Sequence, residues 1–336
     1  MSGLISKRRP FISSLTGIKV GCLLLIFWWH TTLEHPPINL GARCCEILYI
    51  VSGFTVAYNY KNNDEISLPK QCWSFFASRL KKFFPLHLLT FIVFAFIEKQ
   101  NGSISTFITN LLLLNSWTND LGYNTLSWFI SALLFCYLLS PLFIKLVNKY
   151  EDKKTILLIS VIALRYFSEL ILVMIFKSIN MHIFPITHAM EFLLGMIVEK
   201  YYELYKDKEY KYLYISIIEI VLFVLYILVC VFKDNIWPFQ TGTVWPRSMF
   251  VFAFLPLLFV ISLNKGLLSK LLSLMIFEEF NKIQFEFYMI HNIMIHIMSF
   301  YVPISNYLLA MIIAFALSIV FSILIKKASK LIIKRS

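Results

Sequence analysis

Long apolar runs separated by short polar segments dominate this chain. About 20 apolar residues let a helix cross a bilayer, and a spanning backbone must satisfy its own hydrogen bonds, as in a helix or a closed barrel. The runs are too long and continuous for barrel strands, so the pattern predicts an all-α, polytopic bundle of transmembrane helices. The runs cover residues 11–31, 41–60, 84–98, 104–117, 124–147, 155–176, 183–201, 212–232, 246–263, 283–302 and 304–325.

The run at 104–117 is the weakest, because it is short and contains Asn110 and Asn115. We interpret it as one re-entrant or interfacial segment on the outer side, which leaves about ten spanning helices. Segments 61–82, 145–154, 200–211 and 264–282 then hold five, four, four and three Lys or Arg residues, whereas 32–40, 99–103, 177–182 and 233–245 hold none, one, one and one. This alternation follows the positive-inside rule, and an eleventh span would destroy it.

The charges at the chain ends predict the orientation. Lys7, Arg8 and Arg9 precede the first run, and a second basic cluster follows the last run, between Lys326 and Arg335. Both termini are therefore predicted to be cytoplasmic, which requires an even number of crossings. Residues 1–336 are expected to form a single integral-membrane domain with no separate soluble domain, and the first run to remain as an uncleaved helix.

The composition agrees with a membrane protein. The chain is 59% hydrophobic and 15% charged, against about 45–50% and about 25% in soluble domains. The net charge of +12 is scattered among short loops, so we interpret it as the positive-inside signal and expect membrane lipids, not nucleic acid, as partners. The six cysteines form no CxxC pair and mostly lie in apolar runs, so we predict apolar fillers, with no metal site and no disulfide framework.

Two ionisable residues in the first run stand out, because such residues are costly inside a membrane. Lys19 and His30 are 11 residues apart, which places them about 16 Å apart on nearly the same helix face. With the N-terminus inside, Lys19 lies nearer the cytoplasm and His30 nearer the outer surface. Lys19 as a snorkelling lysine and His30 as a hydrogen-bonded interfacial histidine remain the alternatives to a functional role.

A cluster of cations precedes Pro85. Arg79, Lys81 and Lys82 are expected at the mouth of the third span, where they either anchor an anionic ligand such as a phosphate or act only as a positive-inside signal. In the second run, Ser52-Gly53 favours close approach of another helix backbone.

Further polar residues pair at helical spacing inside the other runs. Arg165 with Glu169 and His188 with Glu191 are spaced as intramembrane pairs, and Tyr288 and His291 share one helix face.

The order of these features resembles the acyltransferase-3 family of integral-membrane acyltransferases over nearly the full chain. The stretch "LTGIKVG" (15–21), followed by His30, is similar to the family's first-helix motif, with Lys19 in the place of an arginine. "YIVSGF" (49–54) and the run from Arg79 to Pro85 resemble the next two motifs. Trp128, Tyr137 and Pro141 keep the frame of a fourth, and "FEFYMIH" (285–291) resembles the last. Thr16, Lys82, Leu133 and Leu134 depart from the usual residues.

The resemblance implies transfer of an acyl group, most often acetyl from acetyl-CoA as donor substrate, to a sugar hydroxyl. It implies a bacterial cytoplasmic (inner) membrane enzyme whose acceptor is a surface glycan or a lipid-linked glycan precursor. The implied donor-binding residues are Lys19, Arg79, Lys81 and Lys82. The implied catalytic residue is His30, as general base or acyl carrier, and residues that orient it or stabilise the oxyanion are Ser52, Ser131, Tyr288 and His291.

Two alternatives remain open from the sequence. One is acyl transfer to a small molecule or a lipid. The other is a non-enzymatic transporter of acyl or glycan material, which predicts inverted repeats and broken helices; no repeat is evident in the sequence.

Overall fold

The structure, a computed structural model, describes residues 9–31, 40–61, 65–97, 103–118, 120–175, 180–232, 248–301 and 306–335. All regular structure within these residues is helical. The helices are α1 (Ser13–Thr31), α2 (Leu40–Asn59), α3 (Leu68–Ile97), α4 (Ile104–Leu111), α5 (Asn115–Thr118), α6 (Ser127–Lys149), α7 (Lys154–Ile175), α8 (Pro185–Tyr205), α9 (Tyr212–Val231), α10 (Ser248–Ser262), α11 (Leu267–Leu272), α12 (Met275–Asn281), α13 (Gln284–Tyr301) and α14 (Tyr307–Arg335).

Five of the described helices are long and apolar enough to cross a membrane, namely α1, α3, α6, α9 and α14. The helices α2, α7 and α8 are also 20 to 22 residues long, but they carry charged residues in the protein interior, such as Arg43, Arg165 and Glu191. The all-helical architecture is confirmed for the described residues, and the count of ten crossings stays a prediction.

The third helix differs from the predicted one. It begins at Leu68, so Arg79 and Lys82 lie more than two turns inside a continuous helix and not at its start. Its 30 residues extend about 45 Å, longer than the bilayer core of about 30 Å. Proline usually marks a helix boundary, but Pro85 is inside this helix.

The backbones of α2 and α8 approach each other closely through two glycines. A Cβ atom added to Gly53 would overlap the carbonyl oxygen of Phe192, and one added to Gly195 would overlap that of Ile50. The close approach predicted at Ser52-Gly53 is confirmed. This crossing fixes α2 in the centre of the bundle, where Ser52 lines the cavity described below.

The segment predicted to be re-entrant or interfacial forms the short helices α4 and α5, with 8 and 4 residues. Fully buried polar groups tie it to the bundle: the Asn115 amide donates to Ser127 at 2.8 Å, and His87 of α3 contacts the Asn110 carbonyl at 3.1 Å. Neither helix is long enough to span a bilayer.

A buried ionic network joins α7 to α8. Glu191 accepts from Arg165 at 3.1 Å and lies 2.8 Å from His188 Nδ1, and the Tyr49 ring stacks on His188 at 4.0 Å. The predicted pair of His188 and Glu191 is confirmed. The side chain of Glu169, the predicted partner of Arg165, lies outside the described residues.

Candidate active site

A cavity opens between α1, α2, α3, α6 and α13. Its two adjoining parts, which share lining residues, have volumes of about 150 Å³ and about 360 Å³. We call the smaller part, bounded by Leu23, Phe129 and Tyr288, the deep chamber, and the larger part, bounded by Asn59, Tyr60 and Phe75, the mouth chamber. The residues that line both chambers are Lys19, Ser52, Arg79, Tyr137 and Gln284.

Three of the four predicted donor-binding cations converge on this cavity. Lys19 from α1 and Arg79 from α3 line both chambers, and Lys82 lines the deep chamber. Residues 79 and 82 share one helix face because they are three positions apart. Lys81 is exposed and lines neither chamber, so the donor-binding role predicted for it gains no support from its position.

Aromatic rings hold the Arg79 guanidinium in place. Its Cζ atom lies 4.9 Å from the Phe75 ring centroid and 5.1 Å from that of Tyr137. Cation–π contacts of this kind hold the guanidinium plane without using its N–H donors. Arg79 can therefore present a planar fork of donors to a phosphate.

Two histidines meet at the far end of α1. The ring centroids of His30 and His291 are 5.6 Å apart. His30 is exposed at the last turn of α1, whereas His291 is fully buried on α13. Sequence reasoning named both residues separately, and the structure brings them together.

The contacts of His291 fix its tautomer. Its Nδ1 lies 3.1 Å from the Phe287 carbonyl oxygen, and because a carbonyl only accepts, Nδ1 carries the hydrogen. Nε2 of the neutral ring is then an acceptor, and it has no hydrogen-bond partner among the described residues. His291 in this form cannot donate a hydrogen bond to an oxyanion.

Helix α1 connects the cations to the histidines. Lys19 and Leu23 line the cavity, the Phe27 ring packs 6.0 Å from His291, and His30 follows. Tyr288 makes the same connection on α13, since it lines the deep chamber and its ring lies 6.0 Å from His291. Its hydroxyl donates to the Leu126 carbonyl at 3.0 Å.

Ser131 lies elsewhere. Its hydroxyl donates to the Leu113 carbonyl, with Ser116 Oγ 2.6 Å away, and so anchors the turn between α4 and α5, where Leu113 has a φ of 57°. The catalytic role predicted for Ser131 therefore has no geometric support, because its neighbours Ile130 and Leu133 face the cavity instead.

Of the residues that line both chambers, Tyr137 and Gln284 had no predicted role. Tyr137 entered only as part of a motif frame, and its contact with Arg79 was not foreseen. Gln284 begins α13 and gives no sequence signal, because a polar residue at a helix start is ordinary. Among the described residues, no group of three or more His, Cys, Asp or Glu side chains could hold a metal ion.

Comparisons with known proteins indicate the family to which the chain belongs. Residues 12–327 match the family described as an acyltransferase domain, Acyl_transf_3. The chain belongs to the acyltransferase-3 family. One family relative, the acyltransferase MdmB of Streptomyces mycarofaciens, is 30% identical over 168 residues, which cover 43% of this chain and 42% of that protein. No solved structure matches the chain. The family match covers the helices that carry the cavity and both histidines.

Proposed function

We propose that this acyltransferase moves an acetyl group from cytoplasmic acetyl-CoA to a sugar hydroxyl of a bacterial surface polysaccharide or of its lipid-linked precursor. One observation carries the proposal: a single cavity gathers Lys19, Arg79 and Lys82, and α1 leads from it to the paired rings of His30 and His291. Cations suit the phosphates of CoA, and a histidine suits proton transfer at neutral pH.

The donor would enter at the mouth chamber. Its pyrophosphate would lie against Arg79, which can bind it through two parallel hydrogen bonds, while Lys19 and Lys82 act as point charges. The acyl-pantetheine arm would then extend through the deep chamber, whose walls include Leu23, Phe129 and Leu133. The thioester would approach the histidines beside Phe27 and Tyr288.

In the reaction, His30 removes the proton from the acceptor hydroxyl, and the oxygen attacks the thioester carbonyl carbon. The C–S bond breaks, and the proton passes from His30 to the departing thiolate. General base catalysis of this kind contributes about 10²–10⁴-fold. His291, whose ring centroid lies 5.6 Å from that of His30, would orient it, and Tyr288 would have to release Leu126 before it could donate to the oxyanion.

The experiment that tests the proposal is NMR of purified surface glycans from cells with and without this gene, together with labelled acetyl-CoA supplied to membranes. We expect O-acetyl signals that disappear on deletion and are not restored by His30→Ala. His296→Ala is the matched control, because His296 is an exposed histidine on α13 outside the cavity lining.

Different results would contradict the role of His30, the glycan acceptor and the acetyl-CoA donor. O-acetyl retained in His30→Ala, at equal membrane expression, would remove His30 from catalysis. Label transferred to a small molecule or a lipid would replace the glycan acceptor, and no label transferred to anything would overturn acetyl-CoA as donor.

A further inference from the structure

The boundary between the two chambers is formed by one side chain from each of five helices. The described residues that line both chambers are Lys19 of α1, Ser52 of α2, Arg79 of α3, Tyr137 of α6 and Gln284 of α13, and we call these five residues the junction ring. Two of them are cations that suit the donor phosphates. The other three are neutral and can form hydrogen bonds. A ligand that reaches from the mouth chamber into the deep chamber passes these side chains.

The neutral members of the junction ring differ from the rest of the cavity lining, because their hydrogen-bonding groups are unused. Ser52, Tyr137 and Gln284 make no side-chain hydrogen bond to any residue that the structure describes. The other neutral polar side chains of the lining each donate a hydrogen bond within the protein: Thr55 to the Val51 carbonyl, Asn59 to the Thr55 carbonyl, Tyr60 to the Gln71 amide oxygen and Tyr288 to the Leu126 carbonyl. The junction ring therefore favours a neutral ligand group that both donates and accepts.

The pantetheine arm of the proposed donor is such a group. It follows the phosphates and contains two secondary amides, whose N–H and C=O point in opposite directions because the amide is planar and trans. Binding of both groups requires residues on two sides of the arm. Ser52 and Gln284 come from separate helices, α2 and α13, and α1 packs against both. Arg79 belongs to the same ring, so the amide nearer the phosphates is the one that fits here.

We propose that the junction ring recognises the pantetheine amide nearer the phosphates, with Gln284 Oε1 accepting its N–H and the Ser52 hydroxyl donating to its carbonyl. Among the three neutral members, only Gln284 carries a carbonyl oxygen, whereas the hydroxyls of Ser52 and Tyr137 can donate. This inference rests on the proposed use of acetyl-CoA. It makes Gln284 a binding residue that selects donors with an amide at this position.

Gln71 provides the matched control, because it is a glutamine of α3 that lines neither chamber. Its Nε2 donates to the Ile66 carbonyl at 2.8 Å, and its Oε1 accepts from the Tyr60 hydroxyl at 2.9 Å. Gln71→Met and Gln284→Met remove the same amide group and keep a side chain of similar length. Only the second variant removes an amide from the junction ring.

The test measures kcat/KM, in membranes that contain the full chain, for acetyl-CoA and for two analogues that each have one pantetheine amide replaced by an ester, which removes the N–H. For the wild type we expect the analogue changed at the amide nearer the phosphates to be about tenfold poorer than acetyl-CoA, as for one lost hydrogen bond that leaves an acceptor unpaired. Gln284→Met should use acetyl-CoA and this analogue equally, and Gln71→Met should keep the wild-type ratio.

The second analogue and a second variant make the test specific. The analogue changed at the amide nearer the thioester should have the same ratio to acetyl-CoA in all of these proteins. Ser52→Ala should lower kcat/KM for acetyl-CoA and keep the tenfold ratio, because the ester retains the carbonyl to which Ser52 donates. Each ratio compares donors in one protein, so a smaller amount of folded enzyme does not affect it.

The outcomes separate this inference from the proposed function. No turnover of acetyl-CoA by the wild type would overturn the proposed donor. Equal use of acetyl-CoA and the first analogue by the wild type would overturn recognition of the amide, whether or not the variants fold. A tenfold ratio that persists in Gln284→Met, or that disappears in Ser52→Ala, would overturn Gln284 as the acceptor.

Discussion

His291 illustrates how one hydrogen bond restricts the role of a residue. Because Nδ1 donates to Phe287, only Nε2 remains as an acceptor, and the ring centroids of His291 and His30 are 5.6 Å apart. The His291 ring also stacks on Phe287 with an interplanar angle of 12°. A phenylalanine in its place would keep the stacking and lose the acceptor, which makes it a clean test of a positioning role.

For His291→Phe we expect kcat to fall at least about tenfold, as when one partner in proton transfer is lost, with the KM of acetyl-CoA unchanged. The reason is that His291 lies beyond the cations that hold the donor. Initial rates at varied acetyl-CoA and at several pH values measure this, since loss of the neighbour of His30 should also shift the pH–rate profile. A rise in KM at constant kcat would contradict the positioning role.

Arg79 allows a second prediction at this scale. Arg79→Ala removes the cation held between Phe75 and Tyr137, so the KM of acetyl-CoA should rise about tenfold or more, whereas Arg79→Lys should recover only part of the loss because lysine lacks the planar fork. Lys81→Ala, on the exposed face of the same helix, should have a much smaller effect. An unchanged KM in Arg79→Ala would count against donor binding.

The sequence indicated most of this site, and helical geometry explains the exceptions. Lys19, Ser52, Arg79, Lys82 and Tyr288 line one cavity, as a shared function requires. The motifs could not show which face of a helix points inward, so Lys81 and Ser131 were grouped with neighbours that face the cavity. Gln284 was missed because only the packing of α13 against the other helices gives it a role.

At the scale of helices, the crossing of α2 and α8 depends on two glycines, Gly53 and Gly195. Gly53→Ala or Gly195→Ala would place a methyl group against a carbonyl of the opposite helix. Overpacking of this kind costs about 1–3 kcal/mol, so both variants should unfold at lower temperature in detergent, as measured by thermal scanning fluorimetry.

Gly21 is the control for that measurement. A methyl group added there meets nothing within 4 Å, and alanine favours helix by about 1 kcal/mol over glycine. Gly21→Ala should therefore retain or raise the unfolding temperature. Equal behaviour of Gly21→Ala, Gly53→Ala and Gly195→Ala would show that backbone contact between α2 and α8 does not limit stability.

The bounds of α3 could be predicted from the sequence only in part. The apolar run at 84–98 located its second half, but charged residues interrupt the first half, 68–83, which therefore has no continuous apolar run. The helix tolerates Pro85 because the loss is limited to one backbone hydrogen bond. Proline has no N–H at position 85, so the carbonyl of Lys81 lacks its usual donor. Tertiary packing of Phe83, Leu86 and His87 supports the helix on both sides.

At the scale of the whole molecule, buried charges explain why a hydropathy criterion alone does not select every long helix as a candidate membrane span. Arg165 and Glu191 are 1% and 0% exposed, and Arg43 pairs with Glu46 at 2.7 Å in the interior of α2. These pairs lower the apolar character of α2, α7 and α8, yet each charge faces a partner inside the bundle. The loop-charge pattern does not depend on helix composition, and it predicts ten crossings.

The prediction at this scale is the topology, and reporter fusions test it. Ten crossings with α4 and α5 outside place residues 64, 150 and 208 in the cytoplasm, and residues 112, 180 and 240 outside. Alkaline phosphatase, active only outside, should be active at the second set, and green fluorescent protein should fluoresce at the first. If the segment 104–117 crossed the membrane, every site after it would report the opposite side, while residue 64 would not change. An inverted pattern after residue 117 would therefore exclude ten crossings and would place the two termini on different sides of the membrane.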